Sequence, residues 1–215
     1  MMSMRHVVTG RLANCERQGP RIRPVPVGAT PERIHLSMTL HLFGAGLILR
    51  PPHHRDAAAM VSAVRESQPG IGRYLVWATA DYDVVDAEQW CRAVERPENG
   101  YPLHVFDVHG SLLGGVGLHA SDQRNGKIEL GYWTRSSARG RGVAVHASRL
   151  LAHHAFTVMD FQRIEMIISV DNVASQRVAE KLGARPEGVL HDRLKLSHGL
   201  VDAHLYALLR RDLRG

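Results

Sequence analysis

Lys127–Trp133 (KIELGYW) and, shortly after it, Arg139–Ala144 (RGRGVA) mark the point where the sequence changes from a strand pattern to a helix pattern. The first run predicts a strand, and Val143–Val158 predicts the long helix that follows it. A strand that turns through glycines into a helix leaves backbone N–H groups pointing outward, and the helix dipole makes that end attractive to anions. Arg139–Ala144 are therefore predicted to bind a phosphate group, and we call them the phosphate cradle.

Strand-like and helix-like runs alternate on both sides of the cradle. Besides Lys127–Trp133, the predicted strands are Leu47–Pro52, Tyr101–Val108, Leu112–His119, Arg163–Val170, Glu187–Leu196 and Val201–Leu208. Besides Val143–Val158, the predicted helices are Asp56–Glu66, Val84–Glu95 and Asn172–Leu182. Asp56 and Asp83 are expected to cap the first two helices, and Gly183 to end the last one. This order predicts an α/β (α+β) domain in which a mixed sheet carries helices on both faces.

Residues 1–37 differ in composition from the rest of the 215-residue chain. They hold six arginines and two glutamates, which supply +4 of the formal net charge of +6, and their prolines and glycines interrupt any apolar period. We therefore expect a flexible basic extension over residues 1–37 and one folded domain over residues 38–215. Whether Met38 is the true start stays open. Specific nucleic-acid binding is not expected, because the extension has no aromatic side chains for bases to stack on.

Composition argues against several other classes of protein. No apolar run approaches the roughly 20 residues of a membrane span, and the N-terminus lacks the apolar segment of a secretory signal. Cys15 and Cys91 do not have metal-binding spacing, and neither do the 14 histidines, so we expect no metal site. Two cysteines in a chain of this size do not imply a disulfide, and a cytoplasmic location is expected.

Three blocks of the sequence resemble the GNAT superfamily of acyl-CoA-dependent N-acetyltransferases, over about residues 38–212. The blocks are Leu47–Pro51 (LILRP), Ile128–Ala144 (IELGYW followed by ARGRGVA) and Asn172–Gly183, with Glu187–Leu190 (EGVL) just beyond. The closer likeness is to the RimJ/RimL type, which acetylates protein N-termini and has relatives that act on polyamines and antibiotics. The resemblance implies acetyl-CoA as the acyl donor and a mostly antiparallel sheet in which two strands splay apart.

The same resemblance implies which residues would hold acetyl-CoA. The backbone donors to its pyrophosphate would be Arg139, Gly140, Gly142, Val143 and Ala144. Arg139 or Arg141 would add positive charge, while the pantetheine arm would pair with the free strand edge at Tyr132 and Trp133. Asn172 would contact the same arm, although Asn is also a preferred helix cap, and both roles can hold together.

Acetyl transfer to an amine requires a base, a polarised carbonyl and a stabilised thiolate. Glu129 is the first choice for the base, acting directly or through a water, and desolvation in an apolar strand is expected to raise its pKa. A solvent-facing strand position is the alternative for this residue, and His119 is the alternative base. By resemblance, Ser175 would donate to the departing sulfur, where many GNAT enzymes use a tyrosine, and the Leu130 amide would polarise the carbonyl.

The acceptor is less well defined by the sequence than the donor. We expect direct attack on acetyl-CoA by a primary amine, with a protein N-terminus as the first choice and a polyamine or aminoglycoside as the alternative. Another acyl group, such as succinyl, and a non-catalytic acyl-CoA-binding module also stay open. A homodimer is expected from the resemblance. Four carboxylates near the second helix would either attract a cationic amine or stabilise the helix start: Asp81, Asp83, Asp86 and Glu88.

Overall fold

The computed structural model of the chain describes residues 40–94 and 100–212. The predicted extension and its boundary at residue 38 therefore lie outside the described residues. The strands are β1 Leu42–Gly44, β2 Leu47–Arg50, β3 Tyr101–Asp107, β4 Leu112–Asp122, β5 Lys127–Thr134, β6 Arg163–Ser169, β7 Arg185–Leu196 and β8 Gly199–Leu209. The helices are α1 Ala57–Glu66, α2 Val84–Ala93, α3 Val143–Thr157 and α4 Val173–Leu182. No helix among the described residues is both long enough and apolar enough to cross a bilayer.

The strands form one sheet in the order β1-β2-β3-β4-β5-β6-β8-β7. Neighbouring strands run antiparallel except β5 and β6, which are parallel and are joined through α3. Apolar side chains cover both faces of the sheet. Leu151, Ala155 and Phe156 of α3 pack on one face, and Met60 and Val64 of α1 belong to the cluster on the other. The predicted mixed, mostly antiparallel sheet with helices on both faces is confirmed.

The parallel ladder between β5 and β6 is short. Lys127, Ile128 and Glu129 pair with Arg163, Ile164 and Glu165, respectively. β5 then continues to Thr134 beside β4, with Gly115 opposite Trp133 and Gly114 opposite Thr134. β6 continues to Ser169 beside β8. The two strands therefore separate beyond Glu129, which is the splay that the family resemblance implied.

Local capping chemistry was well predicted at three helix ends. The Asp83 carboxylate accepts from the amides of Val85 and Asp86 at the start of α2. Asn172 accepts from the Ser175 amide at the start of α4, and Gly183 ends that helix with a φ of +97°. Glycine accommodates this left-handed conformation without steric cost.

Two expectations were wrong. The strand β1 was not predicted; it is only three residues long and joins β2 through a tight turn at Ala45 and Gly46. Asp56 does not cap α1 with its side chain. The carboxylate instead accepts two hydrogen bonds from Arg50, at 2.7 and 2.8 Å, and lies 3.1 Å from His104 Nδ1. The helical segment begins one turn earlier than predicted, in a short turn His54–Asp56 that His53 caps, and there the Asp56 carboxylate also accepts from the His53 amide at 2.9 Å.

The Asp56 network ties β2, β3 and the start of α1 together in the interior. His104 is 1% exposed and Asp56 is 7% exposed. Burial alone would raise the pKa of Asp56, but the hydrogen bonds from His104 and Arg50 outweigh it and hold that pKa well below its usual range. The carboxylate is therefore ionised at every pH at which the protein is handled.

Replacing Asp56 with Asn should lower the free energy of unfolding by about 3 kcal/mol near pH 7, because Arg50 loses its buried counter-charge. The folded-state pKa of Asp56 lies below its unfolded value of about 3.9, so the stabilisation is complete above that value and is lost as the pH falls below it. Urea denaturation near pH 7 and near pH 3.5 should therefore show a smaller difference at the lower pH.

Glu88→Gln is the matched control for this variant. Glu88 forms an exposed pair with Arg92 one turn along α2, at 3.2 Å, and its loss should cost about 0.3 kcal/mol. An equal loss for Asp56→Asn at both pH values would contradict the coupling between this network and the ionisation of its carboxylate.

Candidate active site

A cavity of about 530 Å³ occupies the gap between the splayed strands. One wall is the β5 segment Leu130–Thr134, and the opposite wall is the β6 segment Met166–Ser169. The phosphate cradle and the first turns of α3 and α4 also line it, and the segment between α1 and α2 adds Ile71, Tyr74 and Leu75. The residues that the sequence assigned to the acyl donor therefore surround one cavity, except Arg141, which is exposed and outside the lining.

The phosphate cradle has the backbone shape that its glycines predicted. Gly140 and Gly142 adopt φ values of +75° and +78°, which side-chain-bearing residues rarely occupy. Gly142 is the cap of α3, whose first amides have no acceptor within the helix and point towards its N-terminal end. The Arg139 amide donates to the Ser136 carbonyl oxygen at 3.2 Å, so of the predicted pyrophosphate donors this one already has a partner within the turn.

The turn that leads into the cradle is held by the end of α1. The Glu66 carboxylate accepts from the Arg135 guanidinium and, at 2.7 Å, from the Ser137 amide, and Ser67 Oγ accepts from the Ser136 amide. The bonds from Arg135 and Ser137 lower the pKa of Glu66 to about 2. These bonds fix residues 135–137 against the end of α1. They therefore also fix where the cradle, which follows these residues, begins relative to α1.

Tyr132 crosses from β5 to α4 at the open end of the splay. Its hydroxyl donates to the Ser175 carbonyl oxygen at 2.9 Å. Burial, the main cause, raises the pKa of Tyr132 to about 12, so the phenol is protonated at neutral pH and can donate this bond. The next residue, Trp133, turns to the other face of the sheet, where its ring packs edge-on against Trp77 at 5.9 Å.

The start of α4 also lines the cavity, next to the β6 wall. Asn172 and Ser175 both line the cavity, and Asn172 is at the same time the helix cap, so its two predicted roles are compatible. Arg177 and Lys181, one and two turns along α4, add positive charge to the lining. The lining therefore combines open backbone donors, three cations including Arg139, and a free strand edge, which fits an extended thioester that carries phosphates.

Glu129 is half-buried beside the cavity, not in its lining. Its carboxylate lies 3.5 Å from His119 Nε2 on β4 and 3.7 Å from the Arg193 guanidinium on β7. The contact with His119 is the largest influence, and together with Arg193 and Lys127 it outweighs burial, so the pKa of Glu129 is lowered. The expectation of a raised pKa was wrong, because the sequence did not show that two cationic or ionisable partners would face this strand position.

The chain matches the family model of the acetyltransferase (GNAT) domain over residues 46–185. The chain belongs to the GNAT acetyltransferase family. YdaF of Bacillus subtilis (strain 168), provisionally named a ribosomal N-acetyltransferase, is 31% identical to it over 166 residues, which cover 75% of this chain and 90% of YdaF.

Solved structures agree with this family membership. RimJ of Mycobacterium smegmatis, in complex with a CoA-disulfide, gives a TM-score of 0.72 at 25% identity and covers 79% of this chain and 84% of RimJ. The microcin C7 self-immunity acetyltransferase MccE, in complex with acetyl-CoA and AMP, shares the fold with a TM-score of 0.74 at 19% identity, over 81% of this chain and 99% of MccE. The protein is therefore a GNAT-family N-acetyltransferase.

The four carboxylates near α2 of this GNAT enzyme interact with residues close to them in the sequence. Asp83 and Asp86 form a reciprocal capping box at the start of the helix, and Glu88 pairs with Arg92. The Thr79 hydroxyl is the main cause of the lowered pKa of Asp81. These contacts confirm the helix-start interpretation for Asp83 and Asp86. Within residues 40–94 and 100–212, no three metal-binding side chains come together in a metal site.

Several residues of the GNAT site were missed by sequence reasoning. Arg177 and Lys181 could have been found, because they are four residues apart and share one face of α4, the helix that Asn172 caps. Leu194 and Leu196 of β7 and the segment around Tyr74 reach the cavity only through the tertiary fold. The side-chain role of Tyr132 was also missed, since its partner is a backbone carbonyl oxygen that no sequence pattern marks.

Gly142→Asp should abolish binding of acetyl-CoA to the enzyme, because it places a negative charge at the helix end that would hold the pyrophosphate. A Cβ at this position would also lie 3.1 Å from the His146 ring. Calorimetric titration with acetyl-CoA measures the effect. Gly46→Asp is the matched control, since Gly46 has a φ of +74° with open space around it, in the turn between β1 and β2. Equal affinities of both variants would contradict the cradle assignment.

Tyr132→Phe removes the bond that joins β5 to α4 while keeping the ring. We expect a loss of about 1 kcal/mol in the free energy of unfolding, the usual contribution of one buried hydrogen bond. We also expect weaker acetyl-CoA binding, because the two walls of the cavity lose their cross-link. Urea denaturation and calorimetry on the same protein test both effects. Unchanged affinity with lowered stability would show that the bond supports the fold but does not shape the cavity.

Proposed function

We propose that this N-acetyltransferase acts on the N-terminal amine of a protein or peptide. The observation that carries the proposal is the chemistry of the cavity lining. Among its described residues the lining has three cations and no carboxylate, and the α1–α2 segment and β7 contribute Ile71, Leu75, Leu194 and Leu196. A polyamine or an aminoglycoside is a polycation that needs several acidic partners. A peptide N-terminus is a single amine with apolar atoms behind it, which suits this lining better.

The relatives support the same choice of acceptor. YdaF is provisionally named a ribosomal N-acetyltransferase, and RimJ is the solved relative with 25% identity. The likeness to MccE, the microcin C7 self-immunity acetyltransferase, is at 19% identity and concerns the fold, so it does not bear on the acceptor. We also propose that the reaction takes place in the cytoplasm, where newly made protein N-termini and acetyl-CoA meet. We expect the enzyme to be a homodimer, and light scattering would test this.

In the proposed reaction the acceptor ammonium first loses a proton to the pair formed by Glu129 and His119. The free amine attacks the thioester carbonyl, whose oxygen accepts from the Leu130 amide. The C–N bond forms and the C–S bond breaks, and the departing sulfur is stabilised by the Ser175 hydroxyl before it takes a proton. Direct attack is favoured over a covalent acetyl-enzyme because Cys91, the cysteine that the structure describes, lies on α2 and not in the cavity lining.

The proposal is tested by the release of thiol from acetyl-CoA with four acceptors. These are peptides that begin with Ser or Ala, spermidine and an aminoglycoside. We expect turnover with the peptides and only background hydrolysis with the two polycations. Turnover with a polycation alone would overturn the choice of acceptor. No turnover with any amine, although acetyl-CoA binds in a calorimeter, would indicate a binding module instead of an enzyme for these acceptors.

Glu129→Gln should lower turnover by about a hundredfold, the usual contribution of acid–base catalysis. The affinity for acetyl-CoA should stay nearly unchanged, because Glu129 lies outside the cavity lining. Glu88→Gln is the control, since that carboxylate sits on α2 in an exposed pair. Full turnover by Glu129→Gln over the whole accessible pH range would remove this carboxylate from the mechanism.

A further inference from the structure

We propose that His119 is the group that takes the proton from the acceptor amine, and that Glu129 and Arg193 are positioning residues for it. The proposal rests on the proposed function, since it names the base for that reaction. It differs from a mechanism in which the carboxylate is itself the base.

The His119 ring lies between Glu129 and the cavity wall. Its Nε2 is 3.5 Å from the Glu129 carboxylate. The ring also approaches Gly131, where an added Cβ would lie 3.3 Å from Cε1 and 4.0 Å from Nδ1. Gly131 lines the cavity, whereas neither His119 nor Glu129 does. The imidazole therefore lies beside both the carboxylate and a residue of the cavity lining, which is the position of a group that passes a proton between them.

Strand pairing and one bulge bring the partners of Glu129 to it. His119 lies directly opposite Glu129 in the β4–β5 ladder, which shifts register just beyond this pair, where Ala120 has a φ of +49°. Asp192 precedes Arg193 with the same φ, within a shift of the β7–β8 ladder, and its amide is held by the Asp202 carboxylate at 2.9 Å. Residues other than glycine rarely adopt this conformation, and bulges of this kind commonly aim side chains beside functional sites.

The charges around the ring suit a base that becomes a cation. Glu129 faces it from β5, Arg193 approaches that carboxylate from β7, and Lys127 adds a weaker attraction. Glu165 on β6 is engaged by Lys127 and Arg163. Because the pKa of Glu129 is lowered, the carboxylate stays ionised and stabilises an imidazolium, as the carboxylate of a Ser-His-Asp triad does.

The proton balance of the step is complete without another reactant. The acceptor ammonium gives one proton to His119 Nδ1, and the neutral amine forms the C–N bond with the thioester carbon. As the C–S bond breaks, the nitrogen loses its second proton, and the thiolate takes one to become the thiol. His119 then returns its proton to water, which it can reach because its side chain is 53% exposed.

Chemical rescue tests the proposal in the full-length enzyme. His119→Ala should lose about a hundredfold in turnover with the Ser and Ala peptides, and added imidazole should restore about tenfold of it. His119→Gln keeps an amide facing Glu129 but cannot take a proton, so it should be equally slow. His153→Ala, an exposed histidine of α3 outside the cavity lining, should match the wild type with and without imidazole. Near-normal turnover of folded His119→Gln would overturn the proposal, as would loss without rescue.

A second readout does not depend on turnover. Nitrogen-15 NMR of the histidine rings near pH 8 should show the His119 proton on Nε2, facing Glu129, and Glu129→Gln should increase the share of the Nδ1–H form. A proton mainly on Nδ1 in the wild type would overturn the proposal, because that nitrogen could not accept another. If no amine were turned over, the proposed function would fail, while this measurement would still decide the arrangement of the ring.

Discussion

The short parallel ladder between β5 and β6 is the constraint on which the site depends. At its closed end the strands are held by charges as well as by backbone pairing. Glu165 of β6 accepts from Lys127 of β5 at 3.1 Å and from Arg163 at 2.8 Å, and Arg163 also binds Glu187 of β7. Beyond this cluster the strands diverge, and the Tyr132 bond to α4 spans the opening. The ion pair of Lys127 with Glu165 thus holds the closed end of the splay, and the neutral bond from Tyr132 to Ser175 spans its open end.

An opened sheet leaves backbone groups without strand partners, which is costly unless water or a ligand satisfies them. In this protein the free edge of β5 faces the cavity at Leu130–Thr134. An extended ligand that pairs with this edge would satisfy its backbone groups. The cradle works in the same way through helix-end amides. The β5 edge and the cradle therefore present mostly backbone groups to the proposed acyl donor, while side chains from the α1–α2 segment and β7 complete the lining of the cavity.

This division explains how much could be predicted from sequence. Strand β5, the cradle and the caps at Asp83 and Asn172 depend on neighbours in sequence, so residue order revealed them. Asp56 and Glu129 both contact side chains from other strands, which residue order does not reveal. For Glu129, His119 is the residue opposite it in the β4–β5 ladder, and Arg193 follows Asp192, a left-handed residue that is not a glycine and so carries no mark in the sequence.

Solvent access separates the roles of the two ionisable groups beside the cavity. Each turnover of an ammonium acceptor releases a proton, so the base must return to its neutral form before the next cycle. The Glu129 side chain is 21% exposed and contacts two other side chains, whereas His119 is about half exposed. A carboxylate with a lowered pKa also has little tendency to take the proton. An exposed imidazole backed by a fixed carboxylate meets both requirements, and the three strands β4, β5 and β7 are needed to assemble it.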